Sequence, residues 1–273
     1  MSDITIRQLN GHDEFSQCLQ LQYDTWGENF TEVASPMIQM VVQKLGGVVA
    51  GAFNASGEMI GFVFGMTGIQ DGTPVHWSDM LAVRPKWRGK GIGRKLKLFQ
   101  RDEIRKLGIE VINWTYDPLE ARNAHLNLNL LGARIADYIE NMYATDEGSP
   151  LHAGLGMDRF LVAWYLNEER VERAGRGELP DIKNEYIEAP VINTKSDNGT
   201  LLDPGDIACP DVPVVRVEIP ASIQQVKQRA MQDGQRWREN TRRVFLHYLA
   251  EGYQIVTFYR DHTMKRCYYV ITR

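Results

Sequence analysis

One segment constrains this chain more than any other. The apolar run Met80-Leu81-Ala82-Val83 leads, after a short basic turn, into Arg88-Gly89-Lys90-Gly91-Ile92-Gly93, where a helical period begins. Strand, glycine-rich turn and helix in that order form a cradle for pyrophosphate. Glycines let backbone N–H groups approach the oxygens, and the helix N-terminus adds partial positive charge. Charge gathers at the same place. Residues 84–108 hold ten Lys and Arg side chains against Asp102 and Glu103, a net of +8, whereas the whole chain carries −4 and the remainder therefore −12. A basic stretch in an otherwise acidic chain predicts an anionic ligand held at one point. Ile92, Leu96, Phe99 and Leu107 give the helix an apolar stripe, which predicts that its basic residues lie outward.

Other phosphate-binding loops fit less well. A Walker loop needs Lys and then Ser or Thr after its last glycine, and Gly93 is followed by Arg94-Lys95. The spacing Gly89-x-Gly91-x-Gly93 also differs from the dinucleotide fingerprint, and it follows several strands rather than the first. With 43% hydrophobic and 24% charged residues, a length of 273 fits one large or two modest globular domains, and excludes wholesale disorder. The overall acidity argues against a general nucleic-acid binder. No apolar run approaches the length of a membrane span. The start, MSDITIRQLNGHDEF, lacks the pattern of a secretory signal, so a cytoplasmic location is expected. Cys18, Cys209 and Cys267 are too far apart for a metal-ligand spacing or a disulfide framework, so no metal is expected.

Along the chain, residues 1–166 alternate strands and helices. Strands are expected at 4–9, 48–53, 59–64, 77–83, 110–115, 134–139 and 160–166. Helices are expected at 12–26, 37–45, 92–107 and 120–131. Ser35-Pro36 supplies a cap and a first-turn proline for the second helix, and Asn54-Ala55-Ser56-Gly57 a hairpin turn. The fold class is α/β, a mixed, partly antiparallel sheet of seven strands flanked by helices. Residues 167–213, crowded with charge and proline, predict an irregular connecting arm. Residues 214–273 predict a smaller α+β unit: a strand at 214–219, one long helix to about Leu249, and a closing antiparallel pair.

The order Arg88-x-x-Gly91-x-Gly93, with the strand and proline turn before it and the basic helix after it, resembles motif A of the GNAT superfamily, the acyl-CoA-dependent N-acyltransferases. The resemblance covers about residues 1–166. It implies that acetyl-CoA or another acyl-CoA is the co-substrate and that the strand before the loop parts from its neighbour to admit pantetheine. The backbone of Leu81, Ala82 and Val83 would then pair with the pantetheine amides. The N–H groups of Gly89, Lys90, Gly91, Ile92, Gly93 and Arg94 would hold the pyrophosphate, with charge from Arg88, Lys90 and Arg94. Asn123 stands where an asparagine of the family's motif B often reaches pantetheine, although a local role at a helix start fits it equally. The chain departs from the pattern at Leu128, where the family usually has the tyrosine that protonates the leaving thiolate. Tyr116, Tyr138 and Tyr143 are the alternatives, beside departure without an acid.

Acyl transfer needs a neutral amine, so a base must take its proton. Members of the superfamily often carry that base on the strand before the loop. Counting back from Val83 in steps of two reaches Leu81, Asp79 and Trp77, and Asp79 is the only ionisable residue of that series. A turn cap or an ion pair is the plainer role for it. His76 comes next, if a bulge brings it to the same face. In the loop 149–159, Arg159 is a candidate for holding a substrate carboxylate, beside an ordinary Asp158–Arg159 surface turn. His152 lies in the same loop. The basic residues of the C-terminal helix predict a solvated face, one docked on acidic parts of the chain, or a homodimer interface. The long C-terminal addition resembles a bacterial group of GNAT chains, some of which acylate amino acids. The expected function is transfer of an acetyl or succinyl group to a small-molecule primary amine, without nucleic-acid or membrane partners. A protein-modifying acetyltransferase and a non-catalytic acyl-CoA sensor are the alternatives.

Overall fold

The computed structural model describes residues 4–143, 149–151, 153–195 and 199–273. Seven strands form one sheet in the order β1-β2-β3-β4-β5-β7-β6: β1 (Thr5–Gln8), β2 (Val48–Phe53), β3 (Met59–Gln70), β4 (Thr73–Val83), β5 (Val111–Tyr116), β6 (Arg134–Ile139) and β7 (Arg159–Tyr165). This is the mixed α/β sheet expected. A second sheet has the order β8-β10-β9, from β8 (Val214–Ile219), β9 (Gln254–Asp261) and β10 (Arg266–Thr272). The helices are α1 (Gly11–Trp26), α2 (Pro36–Lys44), α3 (Ile92–Arg105), α4 (Ala121–Ala124), α5 (Glu169–Gly175), α6 (Asn184–Glu188), α7 (Ile223–Arg229) and α8 (Met231–Ala250).

The described residues form two compact units. One comprises those of Met1–Trp114, Glu147–Leu151 and Ala163–Glu172; the other comprises those of Thr115–Asp146, His152–Val162 and Arg173–Arg273. The division runs through β5 and β7 rather than between consecutive segments.

In the first unit, Ser35 caps α2 as expected, its hydroxyl accepting from the Ile38 N–H. β2 is buried along its whole length, and Val49, Phe53, Phe62 and Phe64 pack with Phe15, Cys18 and Leu21 of α1. The hairpin β3–β4 is longer than expected. Asp71 and Gly72 turn it with φ of 51° and 78°, so residues 65–76, which include Gly65, Gly68 and Pro74, pair instead of looping out. The register shifts once: Phe64 lies opposite Met80 and Gly65 opposite Ser78, leaving Asp79 without a partner across the hairpin. β4 pairs with β5 in parallel only at His76–Ile112 and Trp77–Asn113. Beyond these two pairs the strands part.

In the second unit, a ring cluster of Tyr138, Phe160, Phe245, Phe258 and Tyr269 fills the core, with centroids 4.9–5.6 Å apart. Two expected helices differ. The one at 120–131 is α-helical only through Ala124 and continues as a wider π-helical stretch, His125–Leu130, in which Asn127, Leu128 and Asn129 are buried. Asn129 uses its amide to donate to the Phe258 carbonyl at 2.7 Å. The long C-terminal helix is broken at Ala230, which is extended (φ −156°, ψ 116°) between α7 and α8.

Gly65 is a checkpoint for the first unit. A Cβ there would come within 2.6 Å of Gln100 Nε2 and 2.8 Å of the Trp77 carbonyl, and closer still to His76 Nε2. Gly65→Ala is expected to destabilise the protein by about 1–3 kcal/mol, read from the midpoint of urea unfolding at unchanged slope.

Candidate active site

The loop after β4 makes a single 3₁₀ turn, Pro85–Trp87, and then two left-handed glycines, Gly89 and Gly91, each with φ of 77°. A non-glycine residue is strained there. Gly91 is the N-cap of α3; no side chain caps the helix and no acidic residue occupies its first turn. Its first N–H groups are thereby available to an anion. Arg88, Gly89, Lys90 and Gly91 are exposed, Ile92 is buried, and Gly93 and Arg94 are half-buried. Arg88 is tied back to β4, its Nε donating to the Val83 carbonyl at 2.9 Å. Lys90 lies over the Trp87 ring, 4.6 Å from its centroid.

The strand edge that leads to this loop has a definite polarity. The Arg84 N–H donates to the Ile60 carbonyl of β3 at 2.9 Å. In an antiparallel pair alternate residues turn their backbone groups to the same partner. Ala82 therefore also faces β3, whereas Leu81 and Val83 face the fork that opens between β4 and β5. Of the three residues expected to meet pantetheine through their backbone, two are turned to that opening.

Asp79 stands on the outer face of β4, exposed, while its neighbours Ser78 and Met80 point into the protein. Desolvation by the surrounding protein raises its pKa above the ordinary carboxylate value; a Trp77 hydrogen bond opposes this and the charge of Glu32 adds to it. The unpaired position in the register and the raised pKa occur at the same residue.

His76 is fully buried. Thr67 Oγ1 donates its one hydrogen to the Gly46 carbonyl at 2.8 Å, so His76 Nδ1 is the donor in its 3.0 Å contact with Thr67. His76 Nε2 then accepts from Gln100 Nε2 at 3.0 Å. Burial, reinforced by Lys97, pushes its pKa down to about 3, so the ring is neutral and both nitrogens are engaged. The shift in register does bring His76 to the face of Leu81 and Val83, since the three lie opposite Thr67, Val63 and Gly61 of β3, but it is buried there.

Lys97 departs from expectation. The other basic residues of α3 are exposed or half-buried, whereas Lys97 is 2% exposed. Its ammonium group donates to Ser78 Oγ and to Gln100 Oε1, each at 2.8 Å, and lies 3.8 Å from the Trp114 ring centroid. The charge count along α3 misses this, because only the spacing Ile92, Leu96, Lys97, Gln100, Ile104 reveals that Lys97 shares the buried face. Leu107, expected in the stripe, is exposed.

In the second unit, Asn123 is exposed on α4, and Leu128 is buried. The Tyr116 and Tyr269 hydroxyls are 3.2 Å apart, Tyr138 donates to Asp158, and Tyr143 meets Thr115 Oγ1 at 3.1 Å. Burial raises the pKa of Tyr116 and Tyr138. Asp158 and Arg159 do not form a surface turn: they are 0% and 5% exposed. Asp158 is held by Arg242 at 2.7 Å, and Arg159 donates to the Asp158 carbonyl at 2.9 Å. His152 lies outside the described residues. Among the described residues no three His, Cys, Asp or Glu side chains form a group fit for a metal. No described helix is long and apolar enough to cross a membrane.

Residues 46–126 match the family described as the Acetyltransferase (GNAT) domain, a span that takes in β2 to β5, the glycine turn and α3. The chain carries a GNAT acetyltransferase domain. By that domain it is an acyl-CoA-dependent N-acetyltransferase. A search of curated proteins found no match. Among solved structures, yncA from Salmonella typhimurium with its cofactor acetyl-CoA is 20% identical, covering 62% of this chain and 96% of that one at a TM-score of 0.49. The ribosomal-protein-S18-alanine N-acetyltransferase from Escherichia coli is 18% identical over 61% of this chain and 96% of that one, with a TM-score of 0.46. NAA60 from Arabidopsis thaliana, in complex with a bisubstrate analogue, is 17% identical over 60% of this chain and 100% of that one, with a TM-score of 0.47.

The GNAT loop yields a direct test. Gly91→Val forces a β-branched residue into a left-handed position and places its side chain over the open helix end. CoA affinity is expected to fall by about tenfold or more, a loss of at least roughly 1.4 kcal/mol, measured by titration calorimetry.

Proposed function

We propose that the protein transfers an acyl group, acetyl or succinyl, from acyl-CoA to the primary amine of a small molecule such as an amino acid, directly in a ternary complex. One observation carries this reading. β4 runs unbroken from Asp79, the residue without a partner across the hairpin, along the edge turned to the fork, to the glycine turn and open end of α3. A donor held by its pyrophosphate at Gly89–Gly93 would extend past Val83 and Leu81 towards Asp79. At about 3.3 Å per strand residue, Val83 to Asp79 spans roughly 13 Å, a reach that suits an extended pantetheine arm.

Asp79 takes the proton of the attacking amine in this scheme. A raised pKa makes a carboxylate a stronger base, provided it remains ionised at the working pH. Direct transfer is supported by the cysteines. Burial pushes the Cys18 thiol up to about 12 and raises Cys209 and Cys267, so none is poised as a thiolate nucleophile. The small-molecule acceptor rests on the resemblance of the C-terminal extension to GNAT chains that acylate amino acids. A protein acceptor is the second reading, favoured by the exposed apolar stripe of Met37 and Val41 along one side of α2, continued by Leu45 just after it. Turnover of acetyl-CoA and succinyl-CoA with a panel of free amino acids and short peptides separates the two. CoA binding without turnover of any of them would make the protein a sensor.

With a working acceptor in hand, Asp79→Asn is expected to retain CoA affinity and to lose kcat/KM by on the order of 10²–10⁴ near neutral pH. The acidic limb of the wild-type profile should lie above the usual carboxylate value of about 4, because the folded pKa is raised and the base is lost only as pH falls through it. The loss in the variant should shrink as pH rises and more amine arrives deprotonated. Equal pH–rate profiles for variant and wild type would refute the assignment.

A further inference from the structure

We infer that Ser78 and Lys97 form a proton-donating site for the leaving CoA sulfur at the base of the β4–β5 fork. The inference deepens the acyl-CoA reading and rests on it. It supplies the acid half of the reaction, for which Leu128 leaves no tyrosine at the usual place.

The geometry comes from three elements of the first unit. Trp77–Asn113 is the last β4–β5 pair, so Ser78 and Trp114 are the first residues on each strand after the two part. Lys97 reaches up from α3 and places its ammonium between them, donating to Ser78 Oγ at 2.8 Å and lying 3.8 Å from the Trp114 ring centroid. Gln100 fixes the direction of this donor. Its Nε2 is committed to His76, so its Oε1 must accept from Lys97. Ser78 accepts from Lys97, and among the described residues it donates its own hydrogen to no acceptor. A buried hydroxyl with an unspent hydrogen at the base of a fork is a donor in want of an acceptor.

At the register shift Ser78 is buried against Lys97 of α3 whereas Asp79 is exposed, so the two side chains leave β4 in different directions. A thioester lying between the strands would have the base on one side and the hydroxyl donor on the other, where they do not neutralise each other. The amine nitrogen bonds to the acyl carbon, the C–S bond breaks, and its electron pair goes to sulfur. Sulfur takes the Ser78 hydroxyl proton, Ser78 takes one from Lys97, and the surplus proton of the amine goes to Asp79. When the products leave, Asp79 gives its proton up to water and Lys97, left as a neutral amine, regains one from water, so no net proton is gained or lost. Lys97 acts through Ser78 and is a positioning residue; Ser78 is the group that touches sulfur.

The groups facing Lys97 are His76 and Ser78 from β4, Gln100 from α3, Trp114 from β5 and Trp164 from β7, and no carboxylate among the described residues pairs with it. Burial lowers its pKa well below the ordinary ammonium value, while the two indole faces favour the charge. A cation held without a counter-ion is a ready partner for a thiolate.

Free CoA tests this without knowledge of the acceptor. The ionisation of its thiol is followed by ultraviolet thiolate absorbance across pH, free and bound, alongside calorimetric affinity. In wild type the bound thiol is expected to titrate at least about one pH unit lower than free CoA, roughly tenfold in its ionisation constant. Ser78→Ala and Lys97→Met should each lose that shift and keep CoA affinity within about threefold. A bound thiol titrating like free CoA in wild type overturns the inference, as does a shift retained in Ser78→Ala. Ser78→Ala removes only an oxygen atom, so it decides the matter even where Lys97→Met fails to fold. Failure of wild type to bind CoA at all would instead overturn the acyl-CoA reading.

Discussion

The GNAT domain of this chain depends on a strand that is paired on one side and abandoned on the other. β4 is held by β3 from Thr73 to Val83, but by β5 only at His76 and Trp77. Backbone N–H and C=O groups that leave a sheet ladder need another partner. Here part of that need is met by Arg88, which returns to the Val83 carbonyl, and the rest of the edge is oriented toward the opening by Leu81 and Val83. The same parting defines the ends of the site: Ser78 and Trp114 at its base, the left-handed glycines at its mouth.

Buried charge is handled differently in the two units. In the second, Asp117 meets Arg238 at 2.6 Å and Asp158 meets Arg242 at 2.7 Å, and their partners hold both carboxylates below the usual range despite burial. Breaking such a pair strands a buried charge and costs far more than the intact pair contributes. Two arginines of the C-terminal helix, Arg238 and Arg242, are thus used internally, while Arg236 meets Asp203 at 3.1 Å on the surface. In the first unit, Lys97 has hydroxyl, amide and ring contacts in place of a carboxylate. A structural ion pair and a proton donor need opposite surroundings, and the contrast between Arg238 and Lys97 follows that difference.

Much of the domain was legible in the sequence, because its signals are local. The cap at Ser35-Pro36, the hairpin turn after Phe53 and the glycine turn into α3 are dictated by backbone chemistry within a few residues. The β3–β4 extension was legible in principle from Asp71-Gly72, a strong hairpin turn, but the glycines and Pro74 around it read as loop. The break at Ala230 carries no local signal at all, since alanine favours helix. The wider helical stretch at His125–Leu130 depends on where Asn129 finds the Phe258 carbonyl, 129 residues away in the sequence.

At the site itself, the sequence alone determined the left-handed glycine turn into α3 and the basic surplus around it, and it raised the expectation of Asp79 by alternation. These follow from glycine's access to positive φ, from charge counting and from the two-residue period of a strand. Only the tertiary structure decided which cation leaves the surface, which face His76 takes and where β4 loses its second partner. A one-residue shift in register and the packing of α3 on the sheet set all three. Both depend on contacts between segments far apart in the chain, and no local pattern encodes them.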